Sequence, residues 1–123
     1  MKVNRARLRQ VATITLEHEE EDLDWRTHFE DPQDTTWVQK ELQAGNDWAW
    51  CCAHVVAEHR GLKAETWLGA CSYESRENFR DGEYFTNMVD EVIEELADRI
   101  EALFDVHGLL ETEGTLCLQC LVL

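Results

Sequence analysis

The sequence predicts an α+β fold: one domain over residues 1–123, a mostly antiparallel sheet of about four strands, and one long amphipathic helix packed on it. Three observations predict it. From about Gly82 to Val106, Phe85, Met88, Val89, Val92, Ile93, Leu96, Ile100, Leu103 and Phe104 recur at helical spacing. From Gly45 to Tyr73 the chain reads as two strands joined by a tight turn and holds three of the five Trp and three of the five Cys. This is the most apolar part of a very acidic chain, and the core is expected on it. The length, 123 residues, suits one domain.

In chain order, residues 7–18 alternate, with Leu8, Ala12, Ile14 and Leu16 on one side, which predicts a half-buried strand. Lys2, Arg5, Arg7 and Arg9 are expected to pair with the chain's own carboxylates. Residues 17–34 are crowded with acid and hold the sole Pro, Pro32, so an exposed loop is expected, with Trp25 and Phe29 tucked back or presented to a partner. Thr36 and Gln39 read as a capping box and Gly45 as a left-handed cap, predicting a short helix over 36–44 anchored by Trp37 and Leu42.

In the strand expected over 48–58, Trp48, Trp50, Cys52, His54 and Val56 share one face, while Ala49, Cys51, Ala53, Val55 and Ala57 share the other. Both faces are largely apolar, as in a central strand. His59, Arg60 and Gly61 are read as the turn. The return strand, 62–72, has Trp67, Leu68 and Cys71 as core ties, and Gly69 suggests a bulge or a close backbone approach. Ser75, Asn78 and Phe79 hint at one helical turn, and Gly108 is read as the end of the long helix. The run TLCLQCLVL, 115–123, is β-prone and is expected to form the last strand.

Charge narrows the function. Twenty-six acidic against 11 basic side chains leave a formal −15. Such a field repels nucleic acid and anionic membrane and steers the protein toward basic surfaces, so no direct nucleic-acid or membrane partner is expected. No secretory signal and no run of about 18 apolar residues is read. An odd Cys count with Cys51 and Cys52 adjacent reads as reduced thiols, which points to the cytoplasm.

No motif announces chemistry. Cys117 and Cys120 form a CxxC, but their odd spacing along a strand sends the two thiols to opposite faces, so no metal site and no cofactor are expected. Cys52 and His54 share a face, yet two residues along one strand is poor geometry for a nucleophilic pair, and apolar surroundings raise a thiol's pKa. Acid pairs such as Asp90/Glu94 and Glu94/Asp98 lie on the wet face of the long helix, where nothing marks the pocket that catalytic carboxylates need. P-loop, GxGxxG, HExxH and GxSxG patterns are lacking. No catalytic residue is assigned, and the chain is read as non-enzymatic.

The run GNDWAWC, then LGACSYES with Phe79, then Gly82, Tyr84, Phe85 and Met88, resembles a pattern found in small uncharacterised proteins of phages and plasmids. The resemblance covers residues 45–88 and carries no catalytic residues with it. It implies an accessory protein of a mobile genetic element. In size and charge the chain is similar to inhibitors of host defence of the anti-CRISPR or anti-restriction kind.

The expectation is therefore a small acidic binding protein in the host-cell cytoplasm that inhibits a basic, nucleic-acid-handling host complex. The helix's outer face could imitate the charge spacing of a duplex, one phosphate charge per about 1.7 Å of axis. Glu91, Glu94, Glu95, Asp98 and Glu101 are the expected contact residues, with Glu20, Glu21, Asp22 and Asp24 as a second patch. The plain alternative for both is a solvated surface. A different class would be a small-ligand binder or enzyme using the Trp48, Trp50, His54 face. An unpaired apolar strand at 115–123 would favour a homodimer.

Overall fold

Asn4 opens the first element. Its side-chain oxygen accepts the Arg7 N–H at 3.1 Å, and one short helix follows, α1 (Arg5–Val11). The computed structural model describes residues 2–107. In order they form α1, β1 (Thr13–Glu19), α2 (Trp25–His28), α3 (Pro32–Gln43), a 3-10 turn (Asp47–Ala49), β2 (Cys51–His59), β3 (Leu62–Cys71), α4 (Arg76–Arg80) and α5 (Glu83–His107). The class is α+β: an antiparallel sheet in the order β1-β2-β3, with a long helix after it. Three strands, not four, lie among the described residues; the strand expected at 115–123, the Gly108 cap and the CxxC fall outside them. Among the described residues no helix is long and apolar enough to cross a membrane.

The chain gathers into two compact units, and the strands pass from one into the other. The first contains, of the described residues, 2–15, 55–66 and 88–107. Its core is Val3, Leu8, Val55, Ala57 and Ala64 with the apolar stripe of α5, from Met88 and Val89 to Ile100 and Phe104. The second contains 16–54 and 67–87, with a core of Leu16, Val38, Trp48, Trp50, Cys51, Ala53, Cys71 and Phe79.

In the first unit, residues 7–11, where alternation predicts the start of a strand, belong to a helix that begins at Arg5. The alternating positions there were mostly Arg and Gln, which choose no face, and only Leu8 is buried. A helix sets Arg5 and Arg9 one turn apart on one side. Both reach carboxylates of α5: Arg5 to Glu94, Asp98 and Glu101, and Arg9 to Asp90. Ala12 then turns to an extended backbone, and the strand begins at Thr13.

In the second unit, Pro32 starts a helix instead of breaking one. It stands at the first helical position, where its missing N–H has no partner to lose, and Asp31 caps the turn by accepting the Gln33 N–H at 2.9 Å. The helix expected from Thr36 thus begins four residues earlier, and Val38, rather than Trp37 or Leu42, is its buried anchor. Its end is as read. Gly45 takes φ +93°, with Gly45 N–H bonded to Leu42 O and Asn46 N–H to Glu41 O, a Schellman closure.

The hairpin turn is one residue tighter than expected. His59 belongs to β2, and Arg60 and Gly61 alone turn the chain, at φ +50° and +85°. That is the two-residue I′ geometry, whose twist matches paired strands. It sets Glu58 against Lys63, which pair at 3.6 Å, and His54 against Trp67. Along β2 the small-residue face (Cys51, Ala53, Val55, Ala57) is fully buried and the other is half-buried. Along β3, Ala64 is buried while Glu65 and Trp67 are exposed, and the phase then slips so that Cys71 points inward. Ala70 produces the slip by standing at φ +54°, a bulge beside the Gly that announced it.

Candidate functional site

The outer carboxylates of α5 do not form a free negative stripe. Arg5 is the reason. Its guanidinium donates to Glu94 and Asp98 at 3.0 Å and to Glu101 at 2.9 Å, and it also donates to Val3 O. Glu101 accepts the Val3 N–H as well and is only 17% exposed, so it ties the chain start to the helix. The Arg5 hydrogen bond pulls the Glu101 carboxyl below its ordinary range, and the same bond raises Arg5. Asp90 meets Arg9 at 2.6 Å, Glu95 meets Arg99 at 2.9 Å, and Glu91 accepts the Thr66 hydroxyl. Each carboxylate proposed on this face has a partner from its own unit.

The negative charge lies elsewhere. Among the described residues the first unit carries nine acidic and seven basic side chains; the second carries fifteen and four, a formal −11. Much of that sits between Glu17 and Asp24. Glu20 and Asp22 are exposed there. Asp24 caps α2 by accepting the Arg26 N–H at 2.9 Å. Glu21 folds back: its carboxylate accepts the Ala70 N–H at 2.5 Å and the Leu23 N–H at 3.1 Å, and these bonds hold its carboxyl below the ordinary range. Gly69 makes room for it, since a Cβ there would stand 2.8 Å from the Glu21 carboxylate. Glu21 is thus a clasp, and the close approach expected at Gly69 is to this side chain.

Beside the clasp lies an open groove of about 670 Å³ whose walls include Glu19, Asp22, Asp47, Trp25 and Trp50. Leu23, 58% exposed, stands on its rim. The Arg26 guanidinium lies 4.9 Å from the Trp25 ring centroid, a cation on an indole within the chain itself.

The Trp48, Trp50, His54 face does not exist as one surface. Trp48 belongs to the 3-10 turn before the strand, is 7% exposed, and stacks on Phe79 at 5.4 Å. Trp50 is 8% exposed; its indole N–H donates to Leu23 O at 2.9 Å, and Phe29 and His28 pack on it. His54 is on the half-buried face with a different tryptophan. It lies flat on Trp67, centroids 4.5 Å apart and planes 4° from parallel. Its Nδ1 is 2.7 Å from Glu19 Oε2, which also accepts the Trp67 indole N–H at 3.2 Å.

Trp67 was expected in the core and is 51% exposed. The signal was present in its strand, where Trp67 keeps the register of Lys63 and Glu65, the wet positions. Glu19 stands in an acid-rich stretch whose composition predicts loop from residue 17, whereas β1 carries it into the sheet.

Among the described residues, Cys51, Cys52 and Cys71 all sit where burial disfavours the thiolate. Burial pushes the Cys51 thiol up to about 12 and the Cys71 thiol up to about 11, and burial also raises Cys52. Among the described residues no group of three or more His, Cys, Asp or Glu side chains is placed to hold a metal ion. No protein-family model, no curated protein and no solved structure matches this chain.

Proposed function

We propose that this chain is a small, non-enzymatic binding protein that docks its negative surface on a basic surface of a nucleic-acid-handling host protein and inhibits it. The charge distribution carries the reading: a formal −11 in one unit, with the exposed Glu20 and Asp22 beside a groove walled by Trp25 and Trp50. Carboxylates steer a basic partner in, and the half-buried Trp25 with the exposed Leu23 on the rim supplies contact area that holds it. Glu20, Glu21, Asp22 and Asp24 form the leading patch, with Glu21 and Asp24 shaping the loop. Glu91, Glu94, Glu95, Asp98 and Glu101 form a weaker patch, because Arg5 and Arg99 already neutralise part of it. The site of action is the cytoplasm of a host cell, and the setting is a mobile genetic element's accessory protein of the anti-CRISPR or anti-restriction kind.

The experiment is an affinity capture from bacterial lysate across a salt series, read by mass spectrometry, with two charge-neutralised variants alongside the parent. Glu20→Gln with Asp22→Asn is expected to lose the captured partner at moderate salt. Glu91→Gln with Glu95→Gln is expected to keep most of it. Retention by the loop variant, or capture of no nucleic-acid-handling protein even at low salt, overturns the reading.

The groove beside Trp50 favours one second reading, a small cationic ligand in place of a protein. Its mark would be tryptophan fluorescence that answers a metabolite and not a basic protein.

A further inference from the structure

We propose that the solvent face of Trp67 is a seat for an arginine side chain of the basic partner, with the Glu19 carboxylate beside it. The inference rests on the acidic-surface reading above and names the chemistry of one contact within it.

The seat is built before any partner arrives. The tight hairpin sets His54 directly across from Trp67, at a position where side chains of paired strands approach closely. The imidazole covers one face of the indole at 4.5 Å, and the indole N–H is held by Glu19 at 3.2 Å. One ring face is stacked and the N–H edge is bonded, yet the residue is still 51% exposed, so the surface left for a partner is on the side away from His54. A large, exposed aromatic held by two interactions is an anchor whose ordering cost is met before binding.

The occupant follows from charge and shape. Trp67 belongs to the unit with fifteen acidic and four basic side chains, and Glu19, 48% exposed, adjoins it. A cation is required. A planar guanidinium stacks on an indole while its N–H groups reach a carboxylate at the ring edge; an ammonium is a more strongly hydrated point charge and gains less from the stack. The chain displays a similar pairing in Arg26 over Trp25.

The test uses two fluorescently labelled nine-residue peptides of equal charge, all-arginine and all-lysine, titrated at fixed salt against the full chain. On the parent protein the arginine peptide is expected to bind about three- to fivefold more tightly, the preference a surface cation–π contact supplies. In Trp67→Ala, with its fold checked by circular dichroism, that preference is expected to fall to about one while the lysine peptide binds as before. In NMR spectra the Trp67 indole resonance is expected to shift with the arginine peptide more than with the lysine peptide. If Trp67→Ala keeps the arginine preference, the seat is overturned and the acidic-surface reading stands. If neither peptide binds the parent protein, both are overturned.

Discussion

Arg5 and Glu101, ninety-six residues apart in sequence, meet at 2.9 Å with Glu101 mostly shielded from solvent. The contact fastens α1 to the second half of α5 and satisfies the Val3 N–H through the same carboxylate. A feature that looked like part of a docking stripe is therefore also a structural tie.

The tie has a pH signature. Glu101 has its folded pKa lowered from the ordinary 4.5, chiefly by the Arg5 hydrogen bond. A depressed carboxyl contributes stability that is present above the unfolded value and is lost as pH falls through the folded one. Chemical denaturation at a series of pH values should show stability falling below about pH 4.5. Arg5→Ala should destabilise the protein at pH 7 by about 1–3 kcal/mol and flatten that acid limb.

Glu21 and Gly69 should behave as one device. Glu21→Gln weakens the charge-assisted bonds to Ala70 and Leu23, and Gly69→Ala places a Cβ against the carboxylate. Each change is expected to cost about 1–2 kcal/mol. The pair together should cost clearly less than the two added, because the second change removes what the first has already disturbed. Strict additivity in a double-mutant cycle would show the clasp to be inert.

Phe79 should be the most sensitive side chain of its unit. It is fully buried, stacks on Trp48, and meets Tyr73 and Phe85 edge-on. Phe79→Ala should destabilise by about 3–5 kcal/mol in urea melts, and Phe79→Leu by substantially less.

Cys51 and Cys71 should resist alkylation in the native state. With thiols pushed up to about 12 and about 11, almost no thiolate exists at pH 7.5. Iodoacetamide followed by peptide mass spectrometry should find both unmodified in buffer and modified in denaturant. Native labelling of Cys51 at the rate of a free thiol would contradict its burial.

The hairpin turn leaves room for improvement. Arg60 stands at φ +50°, a conformation that Asn tolerates better than Arg. Arg60→Asn is expected to stabilise the protein by up to about 1 kcal/mol, read as a rise in melting temperature.

The long helix, the tight hairpin, the Gly45 cap and the Ser75 turn were all legible in the sequence. Each is decided by local chemistry: apolar spacing along α5, positive φ at Gly45 and Gly61, and a hydroxyl that accepts the Asn78 N–H at 3.0 Å. Net charge was equally legible, since it is only a count. What the sequence could not decide was which charges cancel. Arg5 and Arg9 lie 81 to 96 residues from their carboxylates, and only the packing of α1 on α5 brings them together. Trp67 is the converse case. Its hydrophobicity argued for the core, but strand register, set by the two-residue turn at Arg60 and Gly61, put it on the wet face over His54. Local sequence determined the long helix, the hairpin, the caps and the sign of the field; tertiary pairing decided that α1 is a helix docked on α5 and where the field remains uncompensated, because Coulomb partners and strand faces are set by distance in space and not along the chain.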